Sequence, residues 1–149
     1  MESTDSTPGG HMALTLQDKQ EITELTAKYN HAVDHQQPKD WMDTFTEDGE
    51  LKVNGKSQAK GVTELQAFSG KIATSDYRGR HWVCNILIEG DGNTARLRMY
   101  VLSMPIKDNA ITLSVMGEYD DVLVKTAAGW RFKTRNITFC GGASQLVSN

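Results

Sequence analysis

Arg80-His81-Trp82-Val83-Cys84-Asn85-Ile86-Leu87-Ile88-Glu89-Gly90-Asp91-Gly92-Asn93-Thr94 is the stretch on which the reading of the fold turns. Up to this point apolar residues recur at helical spacing, and from Arg80 onward they follow strand grammar. His81 to Glu89 reads as a strand and Gly90-Asp91-Gly92-Asn93 as a hairpin turn. Thr94 to Met104 then alternates basic and apolar residues, Pro105 to Ala110 makes a loop, and Ile111 to Lys125 is a long strand. Ala127-Ala128-Gly129 turns into a last strand, Trp130 to Phe139.

Working back from Arg80, Thr15 is an N-cap with Asp18 three residues on, where an acid favours the positive helix end. Ile22, Leu25, Tyr29 and Val33 form one apolar stripe of a first helix. Pro38 suits the first position of a short second helix with Trp41 and Phe45 on one face, ended by Thr46-Glu47-Asp48-Gly49. Leu51 and Val53 suggest a short strand before an Asn54-Gly55 turn. A third helix follows Gly61, with Val62, Leu65, Phe68 and Ile72 as its stripe. Helices followed by four consecutive antiparallel strands make an α+β domain, three N-terminal helices packed on a curved antiparallel sheet.

The chain has 149 residues, 38% apolar and 23% charged, which fits one globular domain with a real core. A net charge of −3 lacks the basic footprint of a nucleic-acid binder. No apolar stretch approaches the roughly 20 residues of a membrane span, and no signal-peptide apolar region opens the chain. Cys84 and Cys140 read as buried small hydrophobes in a reducing compartment more readily than as a disulfide, so the expected location is cytoplasmic. Residues 1–12 look like a cloning remnant, because His11-Met12 resembles the dipeptide a common cloning site leaves. Residues 13–140 then form the domain and 141–149 a loose tail.

Chemistry concentrates in few residues. His81 opens its strand and, in a regular strand, shares a face with Val83, Asn85 and Leu87. It reads either as a satisfied core histidine or as a general base, since imidazole titrates near ambient pH. Asp34 is either a helix-terminal aspartate beside Gln36-Gln37-Pro38 or the carboxylate that orients that base. Tyr29 is core packing or a donor to a substrate carbonyl. Tyr29 and Asp34 lie five residues apart and diverge by roughly 140° on an ideal helix, so both face one cavity only if the last turn is distorted. Trp41, Phe45, Asn85, Tyr100, Met104, Met116, Tyr119 and Asn136 are candidates for the walls of a substrate pocket, with core filling or sheet structure as the alternative for each. His31 and His35 fall four apart, a spacing that suits a metal, but no third ligand is evident and no metal is expected.

Four stretches in order carry a resemblance. They are Tyr29 through Asp34 followed by Asp40-Trp41; Phe45-Thr46-Glu47-Asp48-Gly49; Arg80-His81 with Asn85; and Gly117-Glu118-Tyr119-Asp120-Asp121 with Gly129-Trp130-Arg131-Phe132. Together they resemble the SnoaL-like branch of the nuclear transport factor 2-like cone, over Leu14 to Phe139. Scytalone dehydratase-like enzymes, bile-acid dehydratases and a hexachlorocyclohexane dehydrochlorinase in that branch pair a strand histidine with an aspartate ending the first helix, matched here by His81 and Asp34. Bile-acid dehydratases add a tyrosine that corresponds to Tyr29. The resemblance implies a lyase or isomerase of dehydratase or cyclase type, without a cofactor, that takes a carbon-bound proton from a small apolar or polycyclic substrate. The outer face of the sheet is the expected surface of a homodimer or homotrimer. Two other readings stay open: an aspartate-based isomerase or epoxide hydrolase, the latter needing a buried Asp-Arg-Asp relay built on Arg96, Arg98 or Arg135, and a non-catalytic binding or assembly module.

Overall fold

The structure, a computed structural model, describes residues 12–141. The expected tag over residues 1–12 and tail over 141–149 lie outside those residues except for Met12 and Gly141, and Gly141 still belongs to the last strand. Three helices, α1 (Leu16–Asp34), α2 (Pro38–Met42) and α3 (Gly61–Ala73), alternate with and precede seven strands. The strands are β1 (Phe45–Val53), β2 (Lys56–Lys60), β3 (Gly79–Gly90), β4 (Thr94–Lys107), β5 (Ala110–Ile111), β6 (Val115–Thr126) and β7 (Gly129–Gly141). The sheet runs β2-β1-β7-β6-β4-β3, with the short β5 paired to β4. It is mixed: β1 lies parallel to β7, whereas the other pairs are antiparallel. The chain enters β1 from the helices and reaches β7 much later, so no hairpin constrains that one pair. α1 packs on β3 and β7, α3 on β1 and β2, and α2 bridges the two longer helices. Among the described residues no helix is long and apolar enough to cross a membrane.

Thr15 caps α1 in a reciprocal capping box with Asp18. That carboxylate is itself buried and also accepts from Lys125 Nζ at 2.7 Å and from Trp130 Nε1 at 3.0 Å, tying the helix to the β6–β7 hairpin. The Lys125 contact, with help from Thr15 and Trp130, holds the Asp18 carboxyl well below the usual carboxylate range. Its folded pKa lies below its unfolded value, so the stability it contributes is present above about pH 4 and is lost as pH falls. Asp18→Asn is therefore expected to melt below the parent at neutral pH, with the gap closing as thermal unfolding is repeated at lower pH.

Three local irregularities set which side chains reach the interior. Phe45 opens β1 instead of closing α2, which ends at Met42. Between Phe45 and Glu50 the strand swells away from β7, and Gly49 sits where a Cβ would meet Thr46 O at 2.9 Å. In β3 the register slips between Cys84 and Leu87 around Asn85, whose φ is 54°. In β7 it slips at Lys133, because Leu123 faces Phe132 but Val122 faces Thr134. Cys84 and Cys140, expected to be buried, are exposed free thiols, since both point to the sheet face the helices leave uncovered.

Candidate functional site

The end of α1 meets the start of β3. Asp34, the last residue of the helix, is buried, and its two carboxylate oxygens both serve His81. The His81 backbone N–H donates to Oδ2 at 3.1 Å, and the ring Nδ1 lies 2.6 Å from Oδ1. This two-point hold fixes the ring and favours Nδ1–H, which leaves Nε2 unprotonated in the neutral imidazole. Tyr77, in the connection between α3 and β3, lies over the ring with centroids 5.2 Å apart. Its hydroxyl is 3.0 Å from Ser103 Oγ, and Ser103 is the β4 residue paired with His81. Gln36, in the left-handed region at φ 52°, donates to Asp34 O and to Tyr77 O, fastening the α1–α2 turn to the Tyr77 segment.

His81 and Ser103 line a cavity of about 230 Å³ between helices and sheet. Tyr29 and Tyr119 add two phenols, and Val33, Trp41, Leu51, Phe68, Ile72, Val101 and Ile137 supply an apolar wall. Asp34 does not line this space; it reaches His81 from behind. That removes the angular conflict between Tyr29 and Asp34: α1 stays helical through Asp34, with Tyr29 on the cavity side and Asp34 turned to β3.

Next to the cavity, Arg135 is wholly buried. Its guanidinium carbon lies 4.0 Å from the Tyr29 ring centroid, 3.7 Å from that of Tyr119 and 4.3 Å from that of Phe132. Nη1 is 3.4 Å from Asp121 Oδ2, and among the described residues Nε, Nη1 and Nη2 have no hydrogen-bond partner. Burial raises the Tyr29 and Tyr119 phenols, against the pull of Arg135, so both stay protonated. Burial likewise pushes the Asp121 carboxyl up to about 7, opposed by Arg135.

The sequence pattern of the SnoaL-like domain matches residues 14–136. The chain belongs to the SnoaL-like family. No match was found among curated proteins. Solved structures agree on the fold of this SnoaL-like domain. A Nostoc punctiforme protein of unknown function with a cystatin-like fold is 26% identical, over 86% of this chain and 95% of its own, with a TM-score of 0.75. A single-substitution variant of Rv3472 from Mycobacterium tuberculosis, also of unknown function, is 26% identical over 91% and 84%, with a TM-score of 0.78. A candidate scytalone dehydratase from Novosphingobium aromaticivorans is 24% identical over 85% and 86%, with a TM-score of 0.74.

Within this SnoaL-like domain, Trp41 and Tyr119 stand in the cavity wall, and Phe45 packs behind it, with ring centroids 4.9 Å from Trp41 and 6.0 Å from Tyr29. Asn85, Tyr100 and Asn136 do not reach it. They border a separate groove of about 550 Å³ with Arg98 and Glu118. Asn136 spends its side chain on Gly55 N–H, and Asn85 is displaced by the β3 bulge. Met104 and Met116 are turned away, because Ser103 and Val115, one position earlier, take the inward places. Arg96 and Arg98 pair outside with Asp120 and Glu89, which leaves Arg135 as the inward arginine of the three. Asp121 is its one ion-pair partner among the described residues, so an Asp-Arg-Asp relay lacks its second acid. His31 and His35 stack on each other at 5.7 Å, and among the described residues no three metal-binding side chains converge.

Proposed function

We propose that this domain is a small-molecule lyase or isomerase in which His81 removes a carbon-bound proton and Asp34 holds the histidine and stabilises its charged form. The observation that carries the reading is the two-point contact of Asp34 with His81, on the wall of an apolar cavity. Ser103 and Tyr77 supply a hydroxyl pair beside the base, suited to steering a leaving hydroxyl or a returning proton. Membership of the SnoaL-like family, with a fold shared by a candidate scytalone dehydratase, makes dehydratase-type chemistry the class to examine first.

The cavity also speaks to substrate size. A 150 Å³ apolar cavity holds one benzene, so at similar filling this one takes roughly nine non-hydrogen atoms. That corresponds to a substituted single ring or two fused rings, at the small end of the expected range, and a four-ring skeleton exceeds it.

The test is ¹⁵N NMR of the histidine side chains. The parent is expected to show His81 as the Nδ1–H tautomer and Asp34→Asn as the Nε2–H tautomer. A His81 ring that samples both tautomers in the parent and ignores Asp34 would remove the base and favour a non-catalytic binding module.

A further inference from the structure

We propose that Tyr77 is a positioning residue for the base, its ring stacked on the His81 imidazole so that the histidine keeps its direction and its protonated form is favoured. This role deepens the proton-abstraction reading and rests on it, since a held and stacked ring matters only where His81 takes a proton.

Asp34 fixes His81 along one edge. Nδ1 lies 2.6 Å from Oδ1 and the backbone N 3.1 Å from Oδ2, which leaves the ring plane free to tilt about the Nδ1 contact. Tyr77 closes that freedom, with its centroid 5.2 Å from that of His81 and the planes 34° apart. The tyrosine is half-buried and does not line the cavity, whereas His81 and Ser103 do, so it stands on the solvent side of the imidazole.

Several contacts from different elements hold that phenol in place. Its hydroxyl is 3.0 Å from Ser103 Oγ, on the β4 residue that pairs with His81. Its backbone N–H donates to Ser75 Oγ at 3.1 Å, and its carbonyl accepts from Gln36 Nε2 at 3.2 Å and from Arg78 Nη1 at 2.8 Å. Gln36 Nε2 also donates to Asp34 O at 3.3 Å, so one side chain spans the two residues that hold the base. The Ile106 N–H donates to Arg78 O at 2.7 Å and docks the same connection on β4. Gly79 supplies the room. A Cβ there would come within 2.5 Å of Tyr77 Oη and 2.7 Å of Cζ, so β3 opens with the residue type that lets the phenol lie across it.

The stack acts on the charge that develops in the reaction. An aromatic face attracts a cation within roughly 6 Å of its centroid, and His81 becomes a cation when it takes the substrate's proton. Burial raises the Tyr77 phenol, against the Ser103 hydrogen bond, so the ring stays neutral. Ser103 is the member of the hydroxyl pair that lines the cavity, and Tyr77 acts through it and through His81.

The test compares the parent, Tyr77→Phe and Tyr77→Leu in the whole protein, the residue lying far enough out of the core for all three to fold. The reaction read is the base-promoted opening of 1,2-benzisoxazole to 2-cyanophenolate, in which the C–H proton leaves and the N–O bond breaks. Tyr77→Leu is expected to lower kcat roughly three- to thirtyfold, the rate equivalent of a cation–π contact, with KM little changed. Tyr77→Phe keeps the ring, gives up the hydroxyl and is expected to recover most of that loss. In proton NMR the carbon-bound ring protons of His81 should lie upfield in the parent and in Tyr77→Phe, through the ring current of the stack. In Tyr77→Leu they should lose that displacement and keep the Nδ1–H tautomer. A parental kcat in Tyr77→Leu, a loss that Tyr77→Phe does not recover, or a His81 that leaves its tautomer in Tyr77→Leu would overturn the proposal. So would the absence of a ring-current displacement in the parent. A rate that falls in His81→Ala alongside any of those results retains the proton-abstraction reading and discards Tyr77 alone.

Discussion

Asp34→Asn is expected to lower the rate of C–H proton abstraction in this cavity by about 10²–10⁴-fold, as expected for loss of a positioned general base. A fitting probe is 1,2-benzisoxazole, a two-ring molecule with one acidified C–H and about the nine non-hydrogen atoms the cavity holds. Its proton would pass to His81 Nε2, its N–O bond would break, and the electron pair would end on the oxygen of 2-cyanophenolate, which is followed by its ultraviolet absorbance. The size of the loss follows from the geometry. The His81 backbone N–H can only donate, so the single oxygen of an asparagine must face it. The amide NH₂ then meets Nδ1, where the carboxylate now lies at 2.6 Å, and forces the ring to carry its proton on Nε2. The base thus presents a proton where it needs a lone pair. His81→Ala should fall as far, with the effect in kcat more than in KM. Equal rates in the parent and in His81→Ala would sink the assignment.

The elements of this fold were legible where a local cause sets them. Thr15 with Asp18, Pro38 at the start of α2 and Asn54-Gly55 in the hairpin all act within a few residues of themselves, and each stands where the pattern puts it. The failures share one cause: a single-residue slip reverses the facing of everything beyond it. Alternation from His81 assigns Asn85 and Leu87 inward, but the bulge at Asn85 turns Ile86 and Ile88 to the core instead. The slip at Lys133 likewise carries the interior from Trp130 and Phe132 to Arg135 and Ile137, so period-two counting could not single out Arg135. Phe45 joined the wrong element because Thr46 to Gly49 reads as a helix end and is in fact a swelling inside a strand.

The site divides along the same line. His81 and Asp34 were selected by resemblance, and 47 residues of chain separate them, so no local pattern could have paired them. Tyr77 and Ser103 had no signal at all: one sits in an irregular connection, and the other is a small polar residue in an otherwise ordinary strand. Their position depends on the β3–β4 register and on Gln36 holding the Tyr77 segment, which are tertiary facts.

Arg135→Met is expected to destabilise the fold by about 3–5 kcal/mol at neutral pH, the usual loss when one member of a buried ion pair is removed. Methionine fills much of the space between Tyr29, Tyr119 and Phe132, so the deficit is chiefly electrostatic. Asp121 is left fully buried, with Oδ1 accepting from Asn136 N–H and Oδ2 without a hydrogen-bond partner among the described residues. Burial already raises its carboxyl, and without Arg135 nothing opposes that rise. The sign then follows. A folded pKa above the unfolded value of 3.8 means full stability below that value and progressive loss as pH climbs through the folded one. Arg135→Met should therefore lie nearest the parent in acid and fall away from it through neutral pH, as thermal unfolding across that range would read. Adding Asp121→Asn removes the titrating group, keeps an oxygen for Asn136 N–H, and should flatten the pH dependence and recover part of the loss. A deficit in Arg135→Met that stays constant with pH would mean that the aromatic stacking, and not the stranded carboxylate, is what the arginine secures.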